Sequence, residues 1–209
     1  MNKIGDKIFE NFIPPFNKND SGWNGSKQFI KDIVREIRPS TIIEVGTWRG
    51  LSAINMCFVI REEKLNCKIY CVDTWLGSLD FWYNPISFDQ YDLALKNGYP
   101  QVYYQFLSNI VYHGFQDLII PVPVVSTIGA KLLNKINVEA ELIYIDGSHE
   151  TEDVYNDIKA YWPLLKQGGV MFGDDFGGLE SVRKAVYQYS GDTQTVFWSS
   201  DDGFWYMKK

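Results

Sequence analysis

The sequence predicts a doubly wound α/β fold, with a mostly parallel seven-stranded sheet that ends in an antiparallel hairpin. Short β-branched segments that stop at Gly or Asp alternate with segments of helical length, which is the pattern of a parallel sheet with right-handed crossovers. The last two strand-like segments, residues 193–198 and 204–207, are separated only by a short polar turn, as in a hairpin. We expect one domain over 1–209, with an N-terminal arm and helix over 1–40 and an insertion or lid over 75–116.

The first half of the chain is expected to alternate helix, strand, helix and strand. A helix begins at Ser26, has its apolar residues on one face and is ended by Pro39. Residues 41–45 are a β-branched run that stops at a glycine, as a buried strand does. The next helix covers 51–64 and is expected to pack against the sheet, because apolar residues occupy most of its faces. A second strand covers 68–72.

The second half continues the alternation up to the hairpin. Pro121 and Pro123 lack the N–H group that a central strand needs, so the ladder of the third strand is expected to be incomplete. The predicted elements of this half are a strand at 119–125, a helix at 126–136, a strand at 141–145, a helix at 151–165 and a strand at 170–172.

Residues 75–116 interrupt the alternation with a long segment that is rich in Trp, Tyr and Phe and is broken by Pro85 and Pro100. Two interpretations stay open. The segment is either an ordinary helical crossover, with a helix over 103–112, or a lid over the carboxyl edge of the sheet, since loops of this length usually have a function.

Composition and charge exclude several classes of protein. The 20 basic and 26 acidic residues give a net charge of −6, which argues against binding to the phosphate backbone of nucleic acids. The sequence shows neither a secretory leader nor an apolar stretch that would span a bilayer, so we expect a soluble, cytoplasmic protein with no membrane partner. Its three cysteines are then expected to be reduced thiols. Aromatic residues make up 16%, which requires a large core or an aromatic-lined pocket.

Polar or glycine-rich turns follow all five predicted parallel strands. In an open α/β sheet, ligands bind outside the carboxyl ends of the strands. Strand ends require turn residues but not carboxylates in particular, so this pattern predicts a ligand site at that edge. The residues that stand there are 44–50, Asp73, Ser126, Asp146 and the pair Asp174-Asp175.

The turn after the first strand and the acid after the second are typical of a nucleotide-like ligand. Gly46 would let the backbone turn sharply and approach a ligand closely, while Gly50 would admit close helix–strand packing. Asp73 would hold a ribose diol through two charge-assisted hydrogen bonds. Taken singly, the glycine pair is also an ordinary turn, and Asp73 is also a cap before Thr74.

Three carboxylates, Asp146, Asp174 and Asp175, are predicted at the tips of neighbouring strands, where they repel one another unless they share a cation. Oxygen ligands favour a hard ion, Mg²⁺ before Ca²⁺ or Mn²⁺. The alternative is that these residues only form turns. His149, three residues after Asp146, is a candidate general base; the alternative is a cap for the helix that begins near Thr151.

Two segments resemble a known family. Residues 42–47, IIEVGT, resemble motif I of class I S-adenosylmethionine-dependent methyltransferases. Residues 142–176, LIYIDGSHETEDVYNDIKAYWPLLKQGGVMFGDDF, are similar to the macrocin O-methyltransferase family, which acts on sugar hydroxyls of natural products and needs Mg²⁺. The resemblance covers roughly residues 42–176 and implies a Rossmann-like methyltransferase fold. One departure is Trp48, which stands where many methyltransferases have a second glycine.

The resemblance also implies roles for individual residues. It makes His149 the general base, at a position where related catechol-type enzymes have a lysine, and it gives Asp146 a part in catalysis as well as in metal binding. The remaining assignments are Glu44, Gly46 and Thr47 at the methionine end of the cofactor, Asp73 at the ribose, Ser126 beside the adenine, Thr74, Trp75 and Asp146 as further cofactor contacts, and Asp146, Asp174 and Asp175 as metal ligands.

The predicted function is Mg²⁺-dependent transfer of a methyl group from S-adenosylmethionine to a hydroxyl of a small molecule, with a sugar or polyol as acceptor. One alternative is an NAD-dependent oxidoreductase, which the missing G-x-G-x-x-G motif and the otherwise purposeless Asp174-Asp175 pair disfavour. Another is a non-catalytic S-adenosylmethionine-binding protein. A homo-oligomeric state stays open.

Overall fold

A computed structural model describes residues 7–83 and 92–209, and within them the chain forms a seven-stranded sheet. The strands are β1 (Thr41–Val45), β2 (Lys68–Asp73), β3 (Ile119–Pro123), β4 (Ala140–Ile145), β5 (Leu165–Gly173), β6 (Phe197–Ser199) and β7 (Trp205–Lys208). Their order across the sheet is β3-β2-β1-β4-β5-β7-β6. The first five are parallel, and β7 runs antiparallel to both β5 and β6. The predicted fold class, including the terminal hairpin, is therefore confirmed.

Helices cover both faces of the sheet. They are α1 (Gln28–Ile37), α2 (Leu51–Glu62), α3 (Leu79–Tyr83), α4 (Val102–His113), α5 (Ser126–Lys135), α6 (Thr151–Tyr161) and α7 (Glu180–Thr193), with a 3₁₀ turn at Trp162–Leu164. Successive residues of β1 point to opposite faces. Ile42 lies in a buried cluster with residues of α1, α2 and α4, whereas Ile43 lies in a second cluster with residues of α5, α6 and α7.

Three elements differ from the sequence-based prediction by more than two residues. The strand predicted over 193–198 is shorter and begins later, because α7 extends to Thr193 and β6 covers only Phe197–Ser199. The α6 helix ends at Tyr161, before the predicted boundary, because Pro163 follows within the 3₁₀ turn. The β5 strand is longer than predicted and begins at Leu165. The α7 helix was not predicted, although its buried residues recur at helical spacing: Val182, Ala185, Val186 and Tyr189.

Two proline residues lie where the fold tolerates them. The β3 strand forms one edge of the sheet and pairs with β2 on its other side, and an edge strand tolerates the missing N–H groups of Pro121 and Pro123. Prolines also block the pairing of a further strand with an exposed edge. The three cysteines are free and buried.

The aromatic-rich segment contains α3 and α4. The predicted helix over 103–112 is confirmed as α4, and its Phe106 and Ile110 are buried in the core. This half of the segment is an ordinary crossover helix. The lid interpretation depends also on residues 84–91, which lie outside the described residues. No helix in the described part of the chain is long and apolar enough to cross a membrane.

The turns after β1 and β4 are in direct backbone contact. The N–H of Asp146 donates to the carbonyl of Val45 over 2.8 Å, and the N–H of Gly46 donates to the carbonyl of Val72 over 2.9 Å. Gly46 has a φ of +82°, and a Cβ added there would lie 2.1 Å from the carbonyl oxygen of Asp146. The two turns that carry the predicted site residues therefore lie so close together that only glycine fits at this position.

Replacing Gly46 with alanine should therefore lower the free energy of unfolding by about 3 kcal/mol or more, from both the left-handed backbone and the steric clash. Gly98→Ala is the matched control, because Gly98 also has a positive φ (+79°) but open space around it. We expect about 1 kcal/mol there, the cost of the backbone conformation alone. Urea denaturation of both variants measures the difference, and equal losses would contradict the importance of this contact.

Candidate active site

Asp73 connects the turns after β1 and β2. Its Oδ2 accepts hydrogen bonds from the backbone N–H groups of Thr47 and Trp48, each over 2.8 Å. Its Oδ1 accepts a third from the N–H of Trp75, also over 2.8 Å. Two carboxylate oxygens accept about four hydrogen bonds, so at least one acceptor position stays open for a ligand. Asp73, which is predicted to bind the ribose hydroxyls, is thus held rigidly at the carboxyl edge of the sheet.

Glu44 is fully buried in β1, beneath this turn. Its carboxyl accepts hydrogen bonds from the hydroxyl groups of Thr47 (3.0 Å) and Ser52, and the thiol of Cys71 lies 3.6 Å away. Burial raises the pKa of Glu44 to about 7, and the hydroxyl donors oppose that rise. Glu44 therefore stabilises the turn from inside, and its oxygens already have donors.

The other predicted cofactor residues lie around the same edge with different exposures. The indole of Trp75 is buried, packs 4.9 Å from the ring of Phe106 and donates its N–H to the carbonyl of Trp48 over 2.8 Å. A contact of Trp75 with a cofactor would come from its backbone. Thr74 is half-buried and its hydroxyl accepts the N–H of Leu76 over 3.2 Å.

Ser126 begins α5 at the end of the loop after β3 and is half-buried. Its carbonyl accepts the hydroxyl of Tyr161 over 2.8 Å. Its side chain hydrogen-bonds to Asp157, whose pKa burial raises to about 6. Ser126 is thereby fixed at the same sheet edge as Asp73 and Asp146.

A small cleft lies beside the ends of β4 and β5, and its lining includes Asp146, His149, Asp174, Asp175 and Trp205. Burial first, and then the charges of Asp174 and Asp175, raise the pKa of Asp146 well above its ordinary value. The hydroxyl of Tyr144 donates to Asp146 Oδ2 over 2.8 Å. Asp146 is therefore buried next to two further carboxyl groups at the strand ends.

Two of the three predicted metal ligands, Asp146 and Asp175, lie together with His149, and the third, Asp174, does not. Nε2 of His149 lies 3.0 Å from Oδ2 of Asp175, and ligand atoms of Asp146, His149 and Asp175 all lie within 4.8 Å of one another. Among the described residues, Asp174 is outside this group. His149, predicted as a base, thus lies where a ligand would.

Asp174 faces a cation that the sequence analysis missed. Its Oδ1 accepts the N–H of Asp175 over 2.7 Å and lies 3.5 Å from Nζ of Lys27, just before α1. Lys27 also donates to the carbonyl of Asp202 over 2.8 Å and lies over the ring of Phe204 at 4.9 Å. Lys27 and Asp174 are 147 positions apart in the sequence, so no local motif predicts that they pair.

An aromatic group lies next to the turn after β1. The ring of Phe81 stacks on Trp23 at 5.9 Å and meets Trp48 edge-on at 4.8 Å. Trp23 is more than a third exposed. These rings come from three separate segments of the chain. Trp48 stands where many methyltransferases have a second glycine, and its side chain has a packing role here.

The fold and this strand-edge site define the class I methyltransferase architecture. The sequence model of one family, described as "Methyltransferase domain", matches residues 43–176, well over half of the chain. The protein belongs to this methyltransferase family, which confirms the methyltransferase resemblance found in the sequence. The narrower similarity to the macrocin enzymes stays a prediction.

Solved structures share the fold at low sequence identity. The O-methyltransferase NovP has a TM-score of 0.63 and 16% identity, over 87% of this chain and 78% of that one. CalS11, a calicheamicin methyltransferase, has the same TM-score and identity, over 86% and 77% of the two chains. An O-methyltransferase from Bacillus cereus, solved in complex with SAH, has a TM-score of 0.57 and 12% identity, over 93% and 84%.

One curated relative matches most of the chain. It is the uncharacterized protein y4gI of Sinorhizobium fredii (strain NBRC 101917 / NGR234), 25% identical over 187 residues. The match covers 88% of this chain but 18% of the relative, so the chain spans less than a fifth of that protein's length.

Glu44→Gln tests the buried carboxyl through its pH dependence. Because the pKa of Glu44 is about 7 in the folded protein and near its ordinary 4.5 when unfolded, the folded state binds more protons between these values. Stability must then fall as pH rises through this window. We expect wild type to lose about 2 kcal/mol more unfolding free energy than Glu44→Gln between roughly pH 5 and pH 8.

The measurement is urea denaturation at both pH values. Glu180→Gln is the control, because Glu180 is exposed on α7 and pairs with Lys184 on the surface; its pH profile should follow wild type. Parallel profiles for Glu44→Gln and wild type would show that the carboxyl is not protonated by burial.

Proposed function

We propose that this methyltransferase uses S-adenosylmethionine and a divalent cation to methylate a hydroxyl of a small molecule, a sugar or another polyol. The observation that carries the proposal is the backbone contact between Gly46 and Asp146. It puts the turn that Asp73 holds and the cleft with Asp146 and Asp175 at the same sheet edge. A cofactor bound at the turn that Asp73 holds would then be adjacent to an acceptor bound in the cleft.

The residues of the cofactor edge suit a nucleoside with an amino-acid tail. Asp73 has acceptor capacity for the ribose hydroxyls after its three backbone hydrogen bonds. Gly46 lies half-buried in the turn assigned to the methionine end, and Ser126 is fixed at the same edge, where the adenine would lie. Thr47, also assigned to the methionine end, is buried and holds the turn through Asp73 and Glu44. Glu44 supports this edge through Thr47 and Ser52.

The donor set of the cleft fits a divalent cation. Carboxylate oxygens of Asp146 and Asp175 and a nitrogen of His149 are mutually within 4.8 Å, and the clustered negative charge needs neutralisation. When bound, such an ion lowers the pKa of an acceptor hydroxyl and holds it in place. Carboxylate oxygens bind Mg²⁺, Ca²⁺ and Mn²⁺, so the proposal at this level is a divalent cation.

In the transfer, the acceptor oxygen forms a bond to the methyl carbon as the bond from that carbon to sulfur breaks. S-adenosylhomocysteine leaves, and the hydroxyl proton goes to a base, either a side chain of the cleft or water. The sheet edge contributes orientation, because both reactants are held on rigid strand ends.

The surroundings favour a neutral polyol as acceptor. The cleft is acidic and the chain carries a net charge of −6, so a polyanion such as nucleic acid would be repelled. Trp23, Trp48 and Phe81 form an aromatic group beside the turn after β1, and a sugar at this edge would have an apolar surface to pack against. A cytoplasmic location and a single-domain organisation remain predictions alongside this proposal.

The activity test incubates the protein with S-adenosylmethionine and a panel of glycosides and catechols, and mass spectrometry detects a gain of one methylene unit. Parallel reactions contain EDTA or an excess of Mg²⁺. Product with glycosides that EDTA abolishes supports the proposal, and product that persists in EDTA removes the cation from it. Binding of NAD in place of S-adenosylhomocysteine would favour the oxidoreductase alternative.

Asp73→Ala should weaken the binding of S-adenosylhomocysteine by roughly 10–100-fold, because charge-assisted hydrogen bonds to the ribose are lost. Isothermal titration calorimetry measures this in metal-free buffer. Asp117→Ala is the matched control, since Asp117 is exposed beside the amino end of β3 and pairs with Arg61; its affinity should equal that of wild type. An unchanged affinity in Asp73→Ala would place the ribose elsewhere.

A further inference from the structure

We infer that His149 is a ligand of the cation, together with Asp146 and Asp175. Asp174 is instead the anchor of Lys27, and the site therefore prefers a transition-metal dication such as Mn²⁺ to Mg²⁺. This inference rests on the proposed function for the presence of a cation, and it changes both the ligand set and the ion expected from the sequence.

The distance between His149 and Asp175 is that of two neighbouring ligands. Nε2 and Oδ2 are 3.0 Å apart. In an octahedral site with bonds of about 2.1 Å, adjacent ligand atoms lie about 3.0 Å apart, since the separation is about 1.4 times the bond length. Asp146 completes a set whose ligand atoms span at most 4.8 Å. An ion can replace the proton between His149 and Asp175 with little movement of the chain.

Asp174 is committed to other partners. Its side chain is 3% exposed, and its Oδ1 has the N–H of Asp175 and the ammonium of Lys27 within 3.5 Å. The Asn24 side chain also hydrogen-bonds to it. Lys27 is held in turn by the carbonyl of Asp202 and the ring of Phe204. A dication on Asp174 would have to displace or repel this ammonium, whereas Asp146 and Asp175 have no such neighbour among the ion pairs of the described residues.

A buried donor in the same cleft is a second sign of a ligand. Trp205 is fully buried and lines the cleft, and its Nε1 has no hydrogen-bond partner in the part of the chain that the structure describes. The pyrrole edge lies against Gly173, where an added Cβ would be 2.5 Å from Nε1. Buried N–H groups in native proteins have acceptors. An oxygen of a ligand or of water in the cleft would supply that acceptor.

Two carboxylates and one imidazole form a mixed donor set. Mg²⁺ favours oxygen ligands and keeps several waters, whereas imidazole suits Mn²⁺, Fe²⁺, Co²⁺ and Zn²⁺ progressively better. With its nitrogen on the ion, His149 cannot also accept the proton of the acceptor hydroxyl. That proton would go to water, and a cation bound there would make the hydroxyl acidic enough to lose it without a side-chain base.

Mn²⁺ binding to the full chain tests this inference. The protein is prepared metal-free and without a polyhistidine tag, because the chain itself has two histidines. Electron spin-echo envelope modulation of the Mn²⁺ complex reports directly coordinated nitrogen, and calorimetry compares Mn²⁺ with Mg²⁺. The variants are His149→Gln, Asp174→Asn and His113→Gln. The last is the matched control, because His113 ends α4 and pairs with Asp20 at 2.8 Å.

We expect a ¹⁴N coupling in wild type, in His113→Gln and in Asp174→Asn, and none in His149→Gln. Mn²⁺ should bind at least about tenfold more tightly than Mg²⁺, and His149→Gln should weaken Mn²⁺ binding by about 10–100-fold. Absence of the coupling in wild type, wild-type Mn²⁺ affinity in His149→Gln, or loss of the ion in Asp174→Asn would each overturn the inference.

Binding of S-adenosylhomocysteine, measured in parallel without metal, separates the two proposals. If the cofactor product binds and the nitrogen coupling is missing, the ligand assignment is wrong and the proposed function stands. If Mn²⁺ binds through His149 but S-adenosylhomocysteine does not bind, the proposed function fails and the metal site stands.

Discussion

The carbonyl of Asp146 lies so close to Gly46 that no side chain fits between the turns after β1 and β4. This contact sets the distance between the two halves of the site. The turn after β1 is held on its other side by Asp73, which accepts the N–H groups of Thr47 and Trp48. Three neighbouring strands are thus connected at their carboxyl ends by backbone hydrogen bonds, and the side chains that point out from them have little freedom to move apart.

The same edge buries more negative charge than stability alone would favour. Glu44, Asp146 and Asp174 are each largely removed from water, and burial is the first cause of the raised pKa of each. Each has its own compensation: hydroxyl donors for Glu44, the phenol of Tyr144 for Asp146, and Lys27 for Asp174. Buried charge that is only partly compensated is typical of a functional site, where binding of a ligand completes the neutralisation.

The alternation of strands and helices could be predicted because local periodicity decides it. The β1 strand has the predicted bounds, and α4 covers the helix over 103–112 that one of the two interpretations of the aromatic segment predicted. The α7 helix was overlooked despite its periodic buried face. The position of β7 between β5 and β6 had no local signal, since a hairpin can place either strand inward.

The candidate site was predictable to the extent that strand ends converge at one edge of a parallel sheet. That rule found Asp73, Asp146 and the Asp174-Asp175 pair, and the structure brings them to one edge. It could not predict which carboxylates face the cleft and which face Lys27, because that depends on the direction of each side chain. Asp174 pairs with Lys27, which is 147 positions away in the sequence, and a single sequence gives no sign of such a long-range pair.

The central claim is that a cofactor on the Asp73 edge and a cation in the Asp146 cleft are neighbours. Diffraction from crystals grown with S-adenosylhomocysteine and Mn²⁺, with anomalous data collected at the manganese edge, tests it directly. The account predicts the ribose hydroxyls against Asp73 and a single manganese peak between Asp146, His149 and Asp175. Adenosine density away from Asp73, or a manganese peak outside the cleft, would contradict it.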